Sequence, residues 1–260
     1  MRDISISVVL YKTDAQEIQK LLNCIYSSNL SYKVYLIDNS PDDNLKHKLK
    51  EYLQDEKTEY IFTGKNIGYG AGHNIAINRV KNKSKYHLVI NADVAFEKSL
   101  LKELIDFMDA NVQFGHLMPK VLYPDGSVQH LCRNKPSVQS IFLKRLMPGF
   151  IQKKYKEHLD KYEFKEKNYN DFFYDVPFLS GCFMLFRTSV LTEVNGFNES
   201  IFLYFEDADI TQRILQKHHN VYYPLNYIYH NYKGTKNNFK LSFFAATGLL
   251  KYFRTWGFFG

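Results

Sequence analysis

Residues 86–94 read Tyr-His-Leu-Val-Ile-Asn-Ala-Asp-Val, a short apolar run followed directly by an amide and an acid. Such a run is typical of a buried β-strand. In an open sheet of parallel strands, ligands collect at the carboxyl ends of the strands, which is where Asn91 and Asp93 stand. The stretch therefore predicts a buried strand of an α/β sheet with a polar site at its end.

The chain before this strand alternates strand-like and helix-like segments, which is the pattern of a parallel sheet wrapped by helices. Strands are predicted over 4–11, 33–37 and 59–62, and helices over 14–28, 41–53 and 71–80. The helix over 41–53 is expected because Ser40-Pro41-Asp42-Asp43 offers a capping residue, a first-turn proline and acids at the positive helix end.

Beyond residue 94 the pattern is less regular. We predict a helix over 100–110, an irregular insertion over 123–174, renewed regular structure over 178–187 and a helix over 238–256. Within the insertion, residues 153–167 are so rich in charge that they indicate either a solvated helix or a mobile lid.

Composition limits the class of protein. With 260 residues and 45% hydrophobic content, the chain can form one sizeable core or two lobes that share a sheet. Its three cysteines lie far apart without a C-x-x-C pair, which favours a reducing cytosol over a disulfide framework. The first apolar run is too short and too alternating for a signal peptide, and no run reaches membrane-spanning length. We therefore expect a cytoplasmic protein.

The net charge of +7 would suit nucleic acid, anionic lipid or a phosphorylated substrate. No helix-turn-helix, zinc-finger or RNP-like pattern occurs, and the aromatic residues are spread through apparent core segments instead of alternating with a basic stripe. We expect no nucleic-acid partner.

Polar residues follow three of the predicted strands, as Asp38-Asn39, Lys65-Asn66 and Asn91-Ala92-Asp93. Taken alone, Asp38-Asn39 is ordinary turn and cap chemistry, but three such ends at one sheet edge favour a ligand site. The stretch Gly64-Lys-Asn-Ile-Gly68-Tyr-Gly70-Ala-Gly72 adds flexible backbone that a phosphate can approach closely. It matches neither a P-loop nor a dinucleotide fingerprint.

A second acidic element, Glu206-Asp207-Ala-Asp209, follows the aromatic run that begins at Phe202. A solvated helix start with acids at its positive end is one interpretation. The other is catalytic, because clustered carboxylates beside aromatic walls can have a pKa raised into the range useful to a general base. On that interpretation Asp207 is the base and Glu206 is an acceptor-binding partner or the alternative base. Asp209 and Arg213 are spaced to pair on a helix.

Taken in chain order, these elements resemble family 2 glycosyltransferases, and most of all the bacterial rhamnosyltransferase-like subgroup that builds cell-surface polysaccharides. The similarity runs over nearly all of residues 4–231. The segments that carry it are Leu36–Ser40, Asn66–Gly68 with Asn74, Val89–Val94, Ser180–Arg187, Val194–Phe197 and Phe202–Asp209.

The resemblance implies an α/β GT-A fold and an inverting, single-displacement transfer from a dTDP- or UDP-linked sugar to a glycan or lipid-linked saccharide acceptor. It places Asp93 on the acid that ligates a Mg or Mn cation, Asp207 on the base, and His230 on a histidine that completes the metal site in some members. The subgroup often has Asn-Pro-Asp where other members of the family have two acids, so Asn91 is an expected difference. Ala92 stands in place of the proline. The residues that we predict to bind the donor are Tyr11, Asp38, Asn66, Gly68, Asn74, Asn91 and Asp93.

On this basis residues 1–235 form one catalytic domain, with a nucleotide-sugar-binding half over 1–120 and an acceptor-binding half over 121–235. Two other functions stay open. A sugar-phosphate nucleotidyltransferase needs a Gly-rich, basic loop directly after its first strand, where this chain has Tyr11-Lys-Thr-Asp14. A non-catalytic nucleotide-sugar-binding module would keep the pocket without turnover.

The C-terminal segment, 236–260, has helical spacing of apolar residues with basic residues between them. It either packs on the domain or lies at the inner face of the cytoplasmic membrane, against anionic lipid. The apolar positions are Phe239, Phe243, Ala246, Leu250 and Phe253, and the basic ones are Lys240, Lys251 and Arg254.

Overall fold

The computed structural model describes residues 2–54, 56–232 and 239–258, without the side chains of residues 145, 146, 239 and 240. Its strands are β1 (Arg2–Leu10), β2 (Tyr32–Asp38), β3 (Thr58–Phe62), β4 (Ser84–Ile90), β5 (Val94–Ala95), β6 (Phe114–Leu122), β7 (Cys132–Arg133), β8 (Phe173–Tyr174), β9 (Phe178–Leu179), β10 (Phe183–Arg187) and β11 (His219–His230). Its helices are α1 (Ala15–Tyr26), α2 (Asn44–Lys48), α3 (Tyr69–Val80), α4 (Leu100–Ala110), α5 (Val138–Leu146), α6 (Gly149–Lys154), α7 (Lys156–Tyr162), α8 (Thr188–Glu193), α9 (Glu206–Leu215) and α10 (Phe239–Trp256).

Within the described ranges, nine strands form one sheet in the order β3-β2-β1-β4-β10-β6-β11-β5, with β8 paired to β11. The first four of these strands are parallel, β10 is antiparallel to both of its neighbours, and β11 is parallel to β6. The predicted α/β class with a mostly parallel sheet is therefore confirmed. Strands β7 and β9 form a small separate sheet.

Strand β1 lies inside the sheet and buries both of its faces, as inner parallel strands do. Its even-numbered residues from Ile4 to Leu10 belong to the same apolar cluster as the buried face of α1. On the other face Ser5 Oγ lies 2.8 Å from His87 Nδ1. Ser7 Oγ lies 2.9 Å from His87 Nε2 and 2.7 Å from His73 Nδ1. Burial lowers the pKa of both histidines, so these hydrogen-bonded serine and histidine side chains are uncharged at neutral pH.

The strands and helices that the sequence predicts before residue 111 are found as β1 to β4 and as α1, α3 and α4. The helix predicted over 41–53 is wrong in length, because α2 covers only Asn44–Lys48. Ser40 does not cap it: Ser40 Oγ accepts from the Lys12 N–H at 2.8 Å, and its own N–H donates to Asp38 Oδ1 at 2.9 Å. The polar residues after β2 thus form hydrogen bonds that stabilise the end of that strand, and they do not start a helix.

The insertion over 123–174, predicted to be irregular, contains α5, α6 and α7. Two of these helices are anchored by Ile141 and Tyr162, which are buried in a cluster with Phe178 and with residues of α9 and α10. The charged stretch 153–167 includes α7, which agrees with the helical alternative. Strand β6 was not predicted, because Gly115, His116 and Pro119 interrupt its apolar pattern.

The predicted C-terminal helix is present as α10, and it packs on the domain. Of the predicted apolar stripe, Phe253 is buried beside Tyr252, whereas Phe243, Ala246 and Leu250 are exposed. The side chains of two further residues of that prediction, Phe239 and Lys240, lie outside the described part of the chain. No helix in the described ranges is both long enough and apolar enough to cross a membrane.

Candidate active site

A cleft of about 1220 Å³ opens at the carboxyl ends of β1 and β4, beside the start of α9. Most of the predicted site residues line this cleft. They are Tyr11, Asn91, Asp93, Glu206, Asp207 and His230. Residues separated by more than a hundred positions in the chain therefore meet in one cavity.

Asp38 does not line the cleft, and its carboxylate is fully buried at the end of β2. It accepts hydrogen bonds from the Ser40 N–H at 2.9 Å and from the Tyr60 hydroxyl. Burial and this hydrogen bond raise the pKa of Tyr60 far above its ordinary value. The carboxylate thus has partners of its own, and its role in nucleoside binding stays a prediction.

Asn66, Gly68 and Asn74 also lie outside the cleft lining. Asn66 Oδ1 accepts from the Gly68 N–H at 3.0 Å. Gly68 has a φ of +95°, and a Cβ there would lie 2.5 Å from the Phe202 carbonyl oxygen, so only glycine fits. Asn74 donates to the Phe197 carbonyl at 2.9 Å and accepts from the Phe197 N–H at 2.8 Å. These contacts join α3 to the segment before α9, and donor binding by the three residues stays a prediction.

The acid and the histidine of the predicted metal pair are neighbours, with Asp93 Oδ1 3.4 Å from His230 Nε2. His230 is buried, and its Nδ1 lies 3.0 Å from Gln129 Oε1. The other end of that amide, Gln129 Nε2, donates to the His230 carbonyl oxygen at 2.7 Å. Since an amide oxygen can only accept, Nδ1 carries a proton, and Nε2 is the ring nitrogen that faces Asp93. Gln129 was not identified from the sequence.

This pair supplies one oxygen ligand and one nitrogen ligand from the protein. Within the described ranges, no group of three or more histidine, cysteine, aspartate or glutamate side chains is placed to hold a metal ion. Carboxylate oxygen and neutral imidazole nitrogen both suit Mn²⁺, and Mg²⁺ is commonly bound by one or two protein ligands together with substrate phosphates. The residues present therefore fit a divalent cation whose other ligands come from a diphosphate and water.

Tyr69, which was not predicted as a site residue, links the segment between β4 and β5 to the segment between β9 and β10. Its hydroxyl lies 3.0 Å from Asn91 Oδ1 and 2.7 Å from the Gly181 carbonyl oxygen. Burial and the negative charges of nearby carboxylates raise its pKa well above the ordinary value. The hydroxyl therefore stays protonated and holds Asn91 in a fixed orientation.

Glu206 and Asp207 begin α9 directly after a strained turn. Tyr204 and Phe205 have φ values of 68° and 70°, a left-handed conformation that costs a non-glycine residue about 1–2 kcal/mol. Helix α10 packs against this turn: a Cβ on Gly248 would lie 2.4 Å from the Tyr204 carbonyl oxygen, and the Tyr252 and Phe205 rings lie 6.3 Å apart. The turn is therefore held by tertiary packing rather than by its own sequence.

The carboxylate of Asp207 is oriented by two backbone donors. Oδ2 accepts from the Gly181 N–H at 2.9 Å, and Oδ1 accepts from the Ala208 N–H at 3.0 Å. Burial raises the pKa of Asp207, while the Gly181 hydrogen bond and the positive charge of Arg133 oppose that increase. The group is thus a carboxylate that is made more basic than an ordinary aspartate.

Glu206 differs from its neighbour. It is buried, and its Oε2 has no hydrogen-bond partner among the described residues. Burial, together with the negative charge of Asp207, raises the pKa of Glu206 well above its ordinary value. A negative charge is therefore disfavoured more strongly on Glu206 than on Asp207, whose carboxylate accepts two backbone hydrogen bonds.

The predicted pairing of Asp209 with Arg213 is confirmed, with Arg213 Nε donating to Asp209 Oδ2 at 2.9 Å. Asp209 is almost fully buried, and its Oδ1 accepts from Trp256 Nε1 at 2.9 Å. The tryptophan belongs to α10, so a polar bond adds to the apolar packing between the C-terminal helix and α9. No sequence pattern indicated that bond.

Comparison with known proteins establishes the family. The model of glycosyl transferase family 2 matches residues 5–194. The chain belongs to this family, as the resemblance implied, and sugar transfer from a nucleotide sugar is its class of activity.

Its relatives include the rhamnosyltransferase WbbL of Escherichia coli K12, which is 30% identical over 76% of this chain and 71% of its own length. The hexosyltransferase Agl10 of low-salt glycan biosynthesis in Haloferax volcanii is 25% identical over 84% of this chain and 64% of its own length. An N-acetylglucosaminyl-diphospho-decaprenol L-rhamnosyltransferase of Mycobacterium tuberculosis is 28% identical over 58% of this chain and 51% of its own length.

Solved structures confirm the GT-A fold. GalNAc-T7 with UDP, GalNAc and Mn²⁺ has a TM-score of 0.68 at 15% identity, over 91% of this chain and 45% of that one. The mannosyltransferase PcManGT of Pyrobaculum calidifontis, in complex with GDP-Man and Mn²⁺, has a TM-score of 0.64 at 11% identity, over 98% of this chain and 64% of that one.

Proposed function

We propose that this chain is an inverting glycosyltransferase in which Asp207 is the general base. The observation that carries the proposal is the contrast within the acidic pair. Asp207 lines the cleft as an oriented carboxylate of raised pKa, whereas Glu206 has a pKa raised well above its ordinary value and a buried Oε2 without a hydrogen-bond partner among the described residues. A base of raised pKa that still ionises at neutral pH is suited to taking a proton from a hydroxyl.

In the proposed displacement, the acceptor hydroxyl attacks the anomeric carbon while Asp207 takes its proton. The bond between that carbon and the donor diphosphate breaks on the opposite face, so the anomeric configuration inverts. Both Asp207 oxygens accept backbone hydrogen bonds, which fixes the direction of the remaining lone pairs. Glu206 beside it, which also lines the cleft, would contact the acceptor.

Asp93 and His230 would hold a divalent cation, Mg²⁺ or Mn²⁺, against the two phosphates of the donor. When bound, the cation neutralises charge on the leaving nucleoside diphosphate. Solved relatives of the same fold contain Mn²⁺. We expect Asp93→Ala to weaken Mn²⁺ binding and nucleotide binding together in titration calorimetry. Unchanged affinity for both would exclude Asp93 from the site.

For the substrates, we propose L-rhamnose from dTDP-rhamnose as the donor sugar and a lipid-linked saccharide of a cell-surface polysaccharide as the acceptor. The names of the Escherichia coli and Mycobacterium tuberculosis relatives support the sugar, and the second name also supports the lipid. UDP-linked sugars are the alternative donors.

The deciding experiment is a panel of dTDP-, UDP- and GDP-linked sugars, with and without Mn²⁺ or Mg²⁺, in which release of nucleoside diphosphate is followed. We expect metal-stimulated release from one donor. Binding of a donor without release would favour the non-catalytic module. Formation of a nucleotide sugar from a sugar 1-phosphate and a nucleoside triphosphate would favour the nucleotidyltransferase.

We further propose that the enzyme contacts the membrane through the outer face of α10. Phe243 and Leu250 are exposed on that face, and the exposed Arg254 lies one turn further on, a combination suited to an anionic lipid surface. We expect Phe243→Ser with Leu250→Ser to abolish sedimentation with vesicles that contain phosphatidylglycerol, without changing nucleotide binding. Equal sedimentation of the variant would remove the proposal.

A further inference from the structure

A cluster of cations lies on the cleft wall that the insertion builds. Arg133 comes from β7, Lys144 from α5, and Glu163 and Lys165 follow α7, and all four line the same cavity as Asp207. We call Arg133, Lys144 and Lys165 the basic cluster. The proposed function uses none of them.

The two lysines share a single acid. Lys144 Nζ contacts Glu163 Oε1, and Lys165 Nζ lies 2.5 Å from Glu163 Oε2. Although burial alone would raise the pKa of Glu163, the two ammonium groups lower it to about 2. Glu163 is therefore fully ionised, and it balances only one of the two lysine charges.

Arg133 has no ion pair with any described residue, and its buried Nε has no hydrogen-bond partner among them. Its guanidinium stacks on the Phe178 ring, 5.2 Å from the ring centroid. Its charge acts on Lys144, whose pKa is lowered by burial and then by this like charge. Arg133 and the two lysines thus give this wall of the cleft an excess of positive charge, which an anion entering the cleft would neutralise.

The position of the cluster indicates which anion. Arg133 pairs in the sheet with Phe178, two residues before the Ser180-Gly181 loop whose N–H holds Asp207. Its charge accordingly reaches Asp207 and lowers the pKa of that carboxylate. The cluster therefore lies next to the base, where the acceptor must bind, and it is built from β7, α5 and the segment after α7, whereas Asp93 and His230 come from other elements.

We propose that the basic cluster is the subsite that binds the phosphate or diphosphate of the lipid-linked acceptor proposed above. This inference rests on the proposed function, because it assumes that Asp207 marks the acceptor side of the cleft. A planar guanidinium bound to an aromatic ring presents paired N–H donors to phosphate oxygens, and the two ammonium groups add charge.

The test is binding of farnesyl diphosphate by titration calorimetry, with the protein saturated by Mn²⁺ and UDP or dTDP so that the nucleotide site is filled. Farnesol is the matched probe without phosphate. We expect farnesyl diphosphate to bind and farnesol to bind at least about tenfold more weakly, since a charge-assisted phosphate contact is lost. Equal binding of the two would show an apolar groove and overturn the proposal.

Substitutions assign the phosphate contact. We expect Arg133→Gln and Lys144→Gln each to weaken farnesyl diphosphate binding by about tenfold, with Arg133→Lys in between. Glu163→Gln should tighten binding, because it removes the only acid of the cluster. The matched control is Lys12→Gln, since Lys12 lines the same cleft outside the cluster. Circular dichroism checks that each variant is folded.

Two results would overturn the inference. If Arg133→Gln weakens UDP or dTDP binding as much as farnesyl diphosphate binding, the cluster serves the donor diphosphate. If no cluster variant changes farnesyl diphosphate affinity, the cluster is structural. Because the measurement needs no turnover, failure of the donor panel would refute the proposed function while leaving this binding result intact.

Discussion

The two halves of the catalytic domain supply the site in different ways. The nucleotide half places Tyr11, Asn91 and Asp93 at the ends of successive parallel strands or just beyond them. The acceptor half gathers its residues through long-range contacts, with the base positioned by a loop 26 residues away and supported by α10. Local sequence pattern thus predicts the residues that we propose to bind the donor, whereas tertiary packing decides where the Asp207 carboxylate points. Each of the following experiments tests that division.

The largest effect is expected at the base itself. Asp207→Asn should lower kcat by about 10²- to 10⁴-fold, because it removes general-base catalysis, while the affinity for the nucleotide stays unchanged. Glu206→Gln is the matched control: because burial and the charge of Asp207 disfavour a charge on Glu206, a neutral amide there should lower kcat by much less. Steady-state kinetics with the active donor gives both numbers. A greater loss in Glu206→Gln would reverse the assignment of the base.

A smaller effect is expected where the halves meet at the metal pair. Gln129→Leu removes the acceptor for His230 Nδ1–H and should weaken Mn²⁺ binding by about 10- to 100-fold, as loss of such an outer hydrogen bond does. Electron paramagnetic resonance of Mn²⁺ in the presence of UDP measures this affinity. Gln129→Glu keeps the acceptor and should recover part of it. Identical affinities in all three proteins would show that Gln129 does not orient the ligand.

The third effect tests the support of the strained turn by α10. Gly248→Ala would normally stabilise a helix by up to about 1 kcal/mol. Here the new methyl group meets the Tyr204 carbonyl, so we expect destabilisation of about 1–3 kcal/mol and a fall in kcat with unchanged nucleotide affinity. Urea unfolding and kinetics provide the measurements. Ala246→Val, on the exposed face of the same helix, should change neither; a stabilised Gly248→Ala enzyme would contradict the packing.

The smallest effect is expected in the pH dependence. Asp207 works as a carboxylate, so kcat falls as pH decreases through its pKa, which burial raises above the ordinary aspartate value. The charge of Arg133 favours the carboxylate, and Arg133→Gln should therefore raise that pKa and move the acid limb of the kcat profile to higher pH. A limb that moves to lower pH in Arg133→Gln would contradict the geometry.

Much of the nucleotide half could be predicted from the sequence, because its elements are defined by short-range periodicity. Strand β4 and the residues after it were identified from nine consecutive residues. The spacing of Asp209 and Arg213 was likewise sufficient to predict their pairing. The family resemblance supplied what spacing could not, namely that Asp93 and His230 are neighbours although they lie far apart in the chain.

The acceptor half could not be predicted to the same depth. Gln129 and Arg133 lie in a segment without periodicity, and only the pairing of β7 with β9 brings Arg133 to the cleft. In α10 the spacing of apolar residues left open which face packs on the domain, because the helix has apolar residues on both its buried and its exposed sides. Its orientation is decided by Gly248, which alone allows close approach to the Tyr204 carbonyl, and by the bond from Trp256 to Asp209.

The central claim is that Asp207 acts as a base in a single displacement, and the stereochemistry of the product tests it most directly. Proton NMR of the first product formed by the wild-type enzyme gives the anomeric configuration of the transferred sugar. The account predicts a configuration opposite to that of the donor. Retention of the donor configuration would require a different mechanism and would contradict the role assigned to Asp207.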